Sequence, residues 1–189
     1  MPTPSPQRVR VIGGRFRGRV IRFPKSTDLR PTPDRVRETL FNWLGQDLHD
    51  LTVLDLYAGS GALALESLSR GAARAVAVDR NPALIRAIEA TAAEFGAVGL
   101  EVHAGLAKSF LQRESRHFDV IFLDPPFATD EWAWLLPACA ERLAGGGALY
   151  AEAPRLLEPP PSLTIVRHAR AGQVHYHLLR LADPPLESP

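Results

Sequence analysis

Val53-Leu54-Asp55-Leu56-Tyr57-Ala58-Gly59-Ser60-Gly61-Ala62 is the stretch on which the reading of the chain turns. Residues 52–56 form a short apolar run of the kind that fills a parallel strand buried on both faces. Gly59 and Gly61 permit a tight turn and a close approach of backbone to ligand. Ala62-Leu63-Ala64-Leu65-Glu66-Ser67-Leu68 then reads as a helix, whose unpaired N-terminal N–H groups suit a ligand with hydroxyls or negative charge. Gly59-Ser60-Gly61-Ala62-Leu63-Ala64 also fits the G-x-G-x-x-A form of a dinucleotide fingerprint. The turn alone leaves a nucleotide-type site and a bare strand–turn–helix corner both open.

Downstream, strands and helices alternate. Residues 73–78 make an apolar strand that ends at Asp79, and Asn81 caps a helix with Pro82 in its first turn. Residues 100–103 read as a short strand followed by a helix over 106–113. Phe118-Asp119-Val120-Ile121-Phe122-Leu123 is the most β-prone run of the chain. A helix is expected over 130–143, and Gly145-Gly146-Gly147 leads into a strand over 148–151. Residues 163–168 and 173–181 read as two strands about a turn at Arg170-Ala171-Gly172. Five βα units followed by a hairpin predict an α/β fold with a doubly wound, mostly parallel sheet and an antiparallel edge. Such sheets bind ligands at the carboxyl ends of their strands. Those ends are residues 55–61, Asp79, residues 104–107 and residues 124–127.

Composition is that of one soluble globular domain: 189 residues, 46% hydrophobic and 23% charged. No apolar run reaches the roughly 18 residues of a membrane helix, and Met1-Pro2-Thr3-Pro4-Ser5-Pro6 does not read as a signal peptide. The one cysteine, Cys139, leaves no internal disulfide and points to the cytosol; on an apolar helix it reads as a core residue. Net charge of +1 hides an asymmetry. Residues 1–40 hold ten basic and three acidic side chains, and the remainder holds twelve and eighteen. An arginine-rich end on a mildly acidic body suits a polyanion.

Residues 8–23 read as two short strands around Gly13-Gly14. Arg8 and Arg10 share one parity and Arg15, Arg17 and Arg19 another, so each strand would present a row of guanidiniums on one face, with Arg22 beyond. Their planar forks suit phosphate, and Phe16 and Phe23 would stack on bases. The bland alternative is a solvated edge hairpin. In the helix after it, Thr32 is the expected N-cap and Gly45 the stop, with Val36, Leu40 and Leu44 buried and Arg35 and Arg37 off that stripe.

Asp124-Pro125-Pro126-Phe127 decides the chemistry. Two prolines after a buried strand fix the backbone and remove two N–H donors. The Pro125 carbonyl is left to accept beside the Asp124 carboxylate, and Phe127 offers a flat face. Two acceptors converging beside an aromatic plate make a seat for a planar group bearing an NH₂. Asp79, about twenty residues beyond the glycine loop, is spaced to accept ribose hydroxyls. The histidines show no convincing metal-ligand spacing; His175 and His177 share one strand face, which is more often solvated than metal-binding.

On these motifs the chain resembles a class I S-adenosylmethionine-dependent methyltransferase of the amino-methylating kind, and more closely the RsmD family. The likeness runs from Arg10-Val11-Ile12-Gly13-Gly14, through Leu29-Arg30-Pro31-Thr32, residues 34–44 and Ala58-Gly59-Ser60-Gly61-Ala62-Leu63, to Ala171-Gly172-Gln173-Val174. It implies a Rossmann-like, seven-stranded, mostly parallel sheet with helices on both faces, an antiparallel C-terminal hairpin and a small N-terminal β-hairpin. Residues 1–28 would be the arginine-rich tail and hairpin, and 29–189 the methyltransferase domain. Implied too is methylation of the exocyclic N2 of a guanine in small-subunit (16S) ribosomal RNA by a cytoplasmic enzyme, with no metal and no membrane; a monomer is expected.

The resemblance assigns Asp55, Tyr57, Gly59, Ser60 and Gly61 to the methionine end of the cofactor and Asp79 to its ribose. Arg80 and Asn81 would flank the adenine, and Leu106 or Ala107 would meet its edge through backbone N–H. Ala104-Gly105-Leu106-Ala107 departs from those methyltransferases with an acidic residue at this strand end. Arg35 would steer either the methionine carboxylate or an RNA phosphate. Asp124 and the Pro125 carbonyl would orient the amine, with Pro126 holding the turn and Phe127 stacking on the flipped base. Three other readings stay open: an amino-methyltransferase acting on adenine or cytosine in DNA, an NAD-binding oxidoreductase, and an inactive RNA-binding module.

Overall fold

The computed structural model describes residues 6–25 and 32–183. Residues 1–7 and the tail from Asp183 read from sequence as loose; residues 1–5 and 184–189, the Leu29-Arg30-Pro31 part of the resemblance and the boundary expected at 28/29 lie outside the described residues, while Gln7 already belongs to β1. The elements are β1 (Gln7–Arg10), β2 (Val20–Phe23), α1 (Asp34–Leu44), β3 (Thr52–Asp55), α2 (Ala62–Ser69), β4 (Arg74–Asp79), α3 (Pro82–Phe95), β5 (Leu100–Ala104), α4 (Ala107–Arg113), β6 (Phe118–Leu123), α5 (Trp132–Ala140), β7 (Leu143–Ala153), β8 (Leu163–Ala171) and β9 (Val174–Leu181).

The main sheet has seven strands in the order β5-β4-β3-β6-β7-β9-β8. β3, β4, β5, β6 and β7 pair in parallel, and β9 joins β7 and β8 antiparallel. The strand order reverses between β3 and β6, so the crevice for a ligand opens between their carboxyl ends. One apolar cluster unites β1, β2, α1, α2 and α3 with one face of the sheet; the other packs α4 and α5 on the opposite face. No helix among the described residues is long and apolar enough to cross a membrane.

Several local expectations are corrected. Four βα units precede β7, which passes to the closing hairpin without a fifth helix. α5 stops at Ala140, with Pro137 inside it, and β7 already begins at Leu143, opposite Phe118. Gly145–Gly147 lie within β7, across a register shift, and a Cβ at Gly147 would stand 2.9 Å from the Asp119 carbonyl. Pro33, not Thr32, precedes the first turn of α1; no side chain caps it, and Thr32 bonds Glu152 instead.

The N-terminal hairpin differs most. β1 and β2 pair antiparallel, but a 3₁₀ turn over Gly14–Phe16 joins them, so Arg15, Arg17 and Arg19 lie in the connection and form no row on a strand. Gly13 and Gly14 serve docking more than turning. A Cβ on Gly14, whose φ is +71°, would fall 1.8 Å from the Ser69 carbonyl oxygen, and one on Gly13 would meet the Arg70 guanidinium at 2.3 Å. Phe16 and Phe23 are buried and cannot stack on bases. Val9, Val11 and Ile21 join them in the core.

A buried charge seats this hairpin. Glu66 projects from α2, a helix with no exposed residue before its C-cap. Its carboxylate accepts from the N–H groups of Ile12 at 2.8 Å and Gly13 at 2.7 Å and from Arg70 Nε at 2.9 Å. Arg37, read from sequence as off the buried stripe, is fully buried with Nη1 3.6 Å from Glu66. Its Nη2 donates to the Arg10 carbonyl at 2.7 Å and to Asp34 at 2.6 Å. An acid on a helix without a polar face must be paired, and that was the sequence signal available for Glu66.

Candidate active site

β3 delivers Asp55 to the crevice, and the glycine loop follows. Asp55 is buried and its Oδ2 has no hydrogen-bond partner. Burial lifts its carboxyl to about 7, and the nearby Asp79 charge adds to that against the pull of the Ala64 and Tyr57 amides. Gly59 and Gly61 have φ of +53° and +74°. A Cβ on Gly61 would press to 2.7 Å from Ile88 Cγ1, so the loop hugs α3 only as glycine. Ser60 is buried beside them.

Asp79, at the end of β4, ties the neighbouring pieces together. Its Oδ2 accepts from Gly59 N–H at 2.8 Å and its Oδ1 from Asn81 N–H at 2.7 Å. Asn81 caps α3 by accepting from Ala83 N–H at 2.9 Å, and Arg80 is exposed between them. Leu106 stands exposed at the start of α4, ahead of buried Ala107. These residues line up along the β3–β4–β5 half of the sheet edge. The residues fit S-adenosylmethionine on one observation: the unpartnered buried carboxylate oxygen of Asp55 suits its ammonium.

The other half of the crevice begins with Asp124, half-buried beyond β6. Burial, then the charges of Glu152 and Asp55, push its carboxyl well above the ordinary range. Pro125 is buried and Phe127 is 47% exposed. The Pro126 carbonyl accepts from both the N–H and the Oγ1 of Thr129, at 3.0 and 2.9 Å. That turn holds Phe127 outward, beside a cleft of about 480 Å³ lined also by Pro154, Arg170, Gln173 and Val174.

Glu152 and Arg170 were not read from the sequence as site residues. β6 and β7 pair as far as Leu123 opposite Ala151, which makes Asp124 and Glu152 the next neighbours. Glu152 is buried; its Oε1 accepts from Tyr150 Oη at 2.9 Å and Thr32 Oγ1 at 3.3 Å. Tyr176 stands opposite it on β9. Arg35, exposed in the first turn of α1, tempers the upward push that burial and Glu152 give the Tyr176 phenol. Arg35 is thus a neighbour of the β7–β9 side of the site.

The candidate RNA-contacting arginines divide. Arg8, Arg10, Arg15, Arg17 and Arg22 are exposed. Arg8 and Arg22 are cross-strand partners. Arg19 is turned back onto the body: it donates to the Phe95 and Glu94 carbonyls at 3.1 and 2.8 Å and lies 4.0 Å over the Phe95 ring. Across β8 and β9, His168 joins His175 and His177, so that one ligand atom of each lies within 4.8 Å of the others. Burial lowers His177 to about 4, and both its ring nitrogens are engaged, by Leu157 N–H and the Ala151 carbonyl, each at 3.2 Å.

The family model described as Conserved hypothetical protein 95 matches residues 9–180. Ribosomal RNA small subunit methyltransferase D of Escherichia coli is 39% identical over 179 residues, which cover 90% of this chain and 88% of that protein. Its Haemophilus influenzae namesake is 34% identical, covering 90% and 92%. The solved structure of yhhF, a candidate methyltransferase from Escherichia coli, superposes with a TM-score of 0.84 at 36% identity, covering 93% of this chain and 98% of its own. The chain is a methyltransferase and belongs to the RsmD family.

Proposed function

We propose that the enzyme transfers the methyl group of S-adenosylmethionine to the exocyclic N2 amine of a guanine in small-subunit (16S) ribosomal RNA. It works in the cytoplasm, as a monomer, on assembled or assembling subunits. One observation carries this reading. Asp124 and Pro125 follow β6 into the switch crevice, and Phe127 stands exposed at its mouth.

Asp55 and the loop of Gly59, Ser60 and Gly61, with Tyr57 behind them, hold the methionine end of the cofactor. Asp79 accepts its ribose hydroxyls, and Arg80, Asn81, Leu106 and Ala107 border the adenine. When bound, S-adenosylmethionine supplies an electrophilic methyl on a sulfonium. The guanine amine is a weak nucleophile because its lone pair is delocalised into the ring. Asp124 and the Pro125 carbonyl accept both of its N–H bonds, which turns the lone pair toward the methyl and favours a pyramidal nitrogen. Phe127 stacks on the flipped base. Asp124 is placed to take the proton that the amine sheds once it is methylated. Arg35, on the Tyr176 side, meets an RNA phosphate, and the exposed arginines Arg8, Arg10, Arg15, Arg17 and Arg22 grip the backbone further out.

The test is methylation of small ribosomal subunits from cells lacking the enzyme, with labelled S-adenosylmethionine and nucleoside analysis of the RNA. Wild type yields N2-methylguanosine, and Asp124→Ala yields none while still binding the cofactor. Methyladenosine or methylcytidine as the only product, or no label with cofactor bound, overturns the reading.

A further inference from the structure

The sheet register sets a second carboxylate beside the amine seat. Along β6 and β7, Phe122 pairs with Tyr150 and Leu123 with Ala151, so Asp124 and Glu152 follow side by side at the two carboxyl ends. Alternation puts Phe122 and Asp124 on the same face as Tyr150 and Glu152. The two rings confirm it, meeting edge to face at 6.3 Å. Parallel neighbours lie roughly 5 Å apart. Glu152 is therefore one strand across from the acceptor that holds the reacting amine.

Glu152 is also held in place. Both hydroxyls that reach it, from Tyr150 at 2.9 Å and Thr32 at 3.3 Å, bond Oε1. Among the described residues no donor bonds Oε2. The residue is only 5% exposed, and Oε2 is not among the buried side-chain atoms left without a partner, so this oxygen still meets the crevice. Burial pushes the Glu152 carboxyl up, and it shares the crevice with the raised Asp124. A ligand with two adjacent donors on one edge would bond both groups at once.

Among the common bases with an exocyclic amine, that description selects one. On its Watson–Crick edge guanine carries the N2 amine next to an N1–H donor. Adenine and cytosine carry their amines next to a ring nitrogen with a lone pair. With the amine on Asp124 and the Pro125 carbonyl, the adjoining ring position faces the strand that bears Glu152. A carboxylate there bonds guanine N1–H and repels the lone pair of either alternative.

We infer that Glu152 is a specificity-determining residue that accepts the N1–H of the target guanine through Oε2, while Tyr150 and Thr32 fix its orientation through Oε1. This rests on the amino-transfer reading above and adds how the site tells guanine from other amine-bearing bases. It also gives β7 a part in recognition that the Asp-Pro-Pro-Phe segment does not supply.

The experiment uses the full chain and small subunits reconstituted with RNA that carries either guanine or 2,6-diaminopurine at the methylated position. Diaminopurine keeps the 2-amine but has a lone pair at N1. Wild type is expected to methylate guanine at least tenfold faster in kcat/KM. Glu152→Gln, whose amide can turn its NH₂ toward a lone pair, is expected to lose activity on guanine and narrow the ratio to within about threefold. Equal rates of wild type on the two bases overturn the inference and leave amino transfer standing. So does a Glu152→Gln enzyme that binds cofactor normally yet keeps the wild-type ratio. Methylation of neither base by wild type overturns amino transfer itself. Should Glu152→Gln fail to fold, the wild-type ratio decides alone.

Discussion

Tyr57 Oη donates to the Glu131 carboxylate at 2.6 Å, which joins the loop after β3 to the residue just ahead of α5. One partner follows Asp55 and the other follows the Asp-Pro-Pro-Phe turn, so the bond spans the switch crevice. Burial and Glu131 both push the Tyr57 phenol up, and it remains a donor at any working pH.

Tyr57→Phe keeps the ring and removes this one bond. A hydrogen bond to a charged group contributes about 1.5–3 kcal/mol. Glu131 is partly exposed and can turn to water, so the low end applies. Titration calorimetry should show S-adenosylmethionine bound roughly tenfold more weakly, and the melting temperature should fall by about 3–6 °C. An unaltered cofactor affinity would mean that the two loops hold their places independently.

Glu66→Ala should be the most damaging single change outside the crevice. It strands two amides and leaves Arg37 and Arg70 without the charge they face. Removing one partner of a buried ion pair costs about 3–5 kcal/mol. Thermal unfolding reads the loss, and hydrogen exchange should locate it, with the amides of Ile12 and Gly13 losing protection first. Uniform loss of protection across β3, β6 and β7 as well would show that the hairpin does not come away on its own.

The contrast between Asp55 and Glu66 shows what a sequence exposes. β3, β6 and the glycine loop are written locally: buried parallel strands read as unbroken apolar runs, and turns carry their own residues. The carboxylates at the strand ends therefore fell where the fold needed them. Glu66, Arg37 and Glu152 take their meaning from partners 27 to 120 residues away, which no local pattern encodes. Gly13-Gly14 reads as a turn by composition, and only the approach of α2 turns it into a docking surface. Phe16 and Phe23 alternate with arginines as base-stacking residues would. Their burial follows from which side of the hairpin meets α2 and α3.

Asp55 should make cofactor binding depend on pH. Its folded-state pKa is raised from 3.8 to about 7. Between those values the folded protein holds the proton that the unfolded chain releases. Stability without cofactor is thus fully present below about 4 and is lost as pH rises through 7, by up to about 4 kcal/mol. The carboxylate that pairs with the cofactor's ammonium is the ionised one, so S-adenosylmethionine should bind about tenfold more tightly at pH 8 than at pH 6. Calorimetry across this range, with Asp55→Asn as the comparison, checks the sign. The variant should bind weakly with little pH slope and, without cofactor, melt higher than wild type at pH 8. A slope that survives in Asp55→Asn would assign the titration to another group.

Arg8 and Arg22 face each other directly across β1 and β2, both exposed, with no acid between Arg8 and Lys25 in the sequence. Like charges directly opposite cost stability in a hairpin, and a phosphate laid between them would turn that cost into binding. Arg8→Ala with Arg22→Ala should weaken RNA binding and reduce the salt slope by roughly 0.7–0.9 for each phosphate that is no longer neutralised. Cofactor affinity should stay the same, and the melting temperature should hold or rise slightly. Arg15→Ala with Arg17→Ala, in the turn between the strands, should act in the same direction. Arg19→Ala supplies the opposite pattern from the same segment. Its guanidinium is committed to two carbonyls and a ring on α3, so its loss should lower the melting temperature and leave the salt slope of RNA binding alone. Should Arg19→Ala flatten the slope as much as the Arg8 and Arg22 pair does, the separation of gripping from anchoring arginines is wrong.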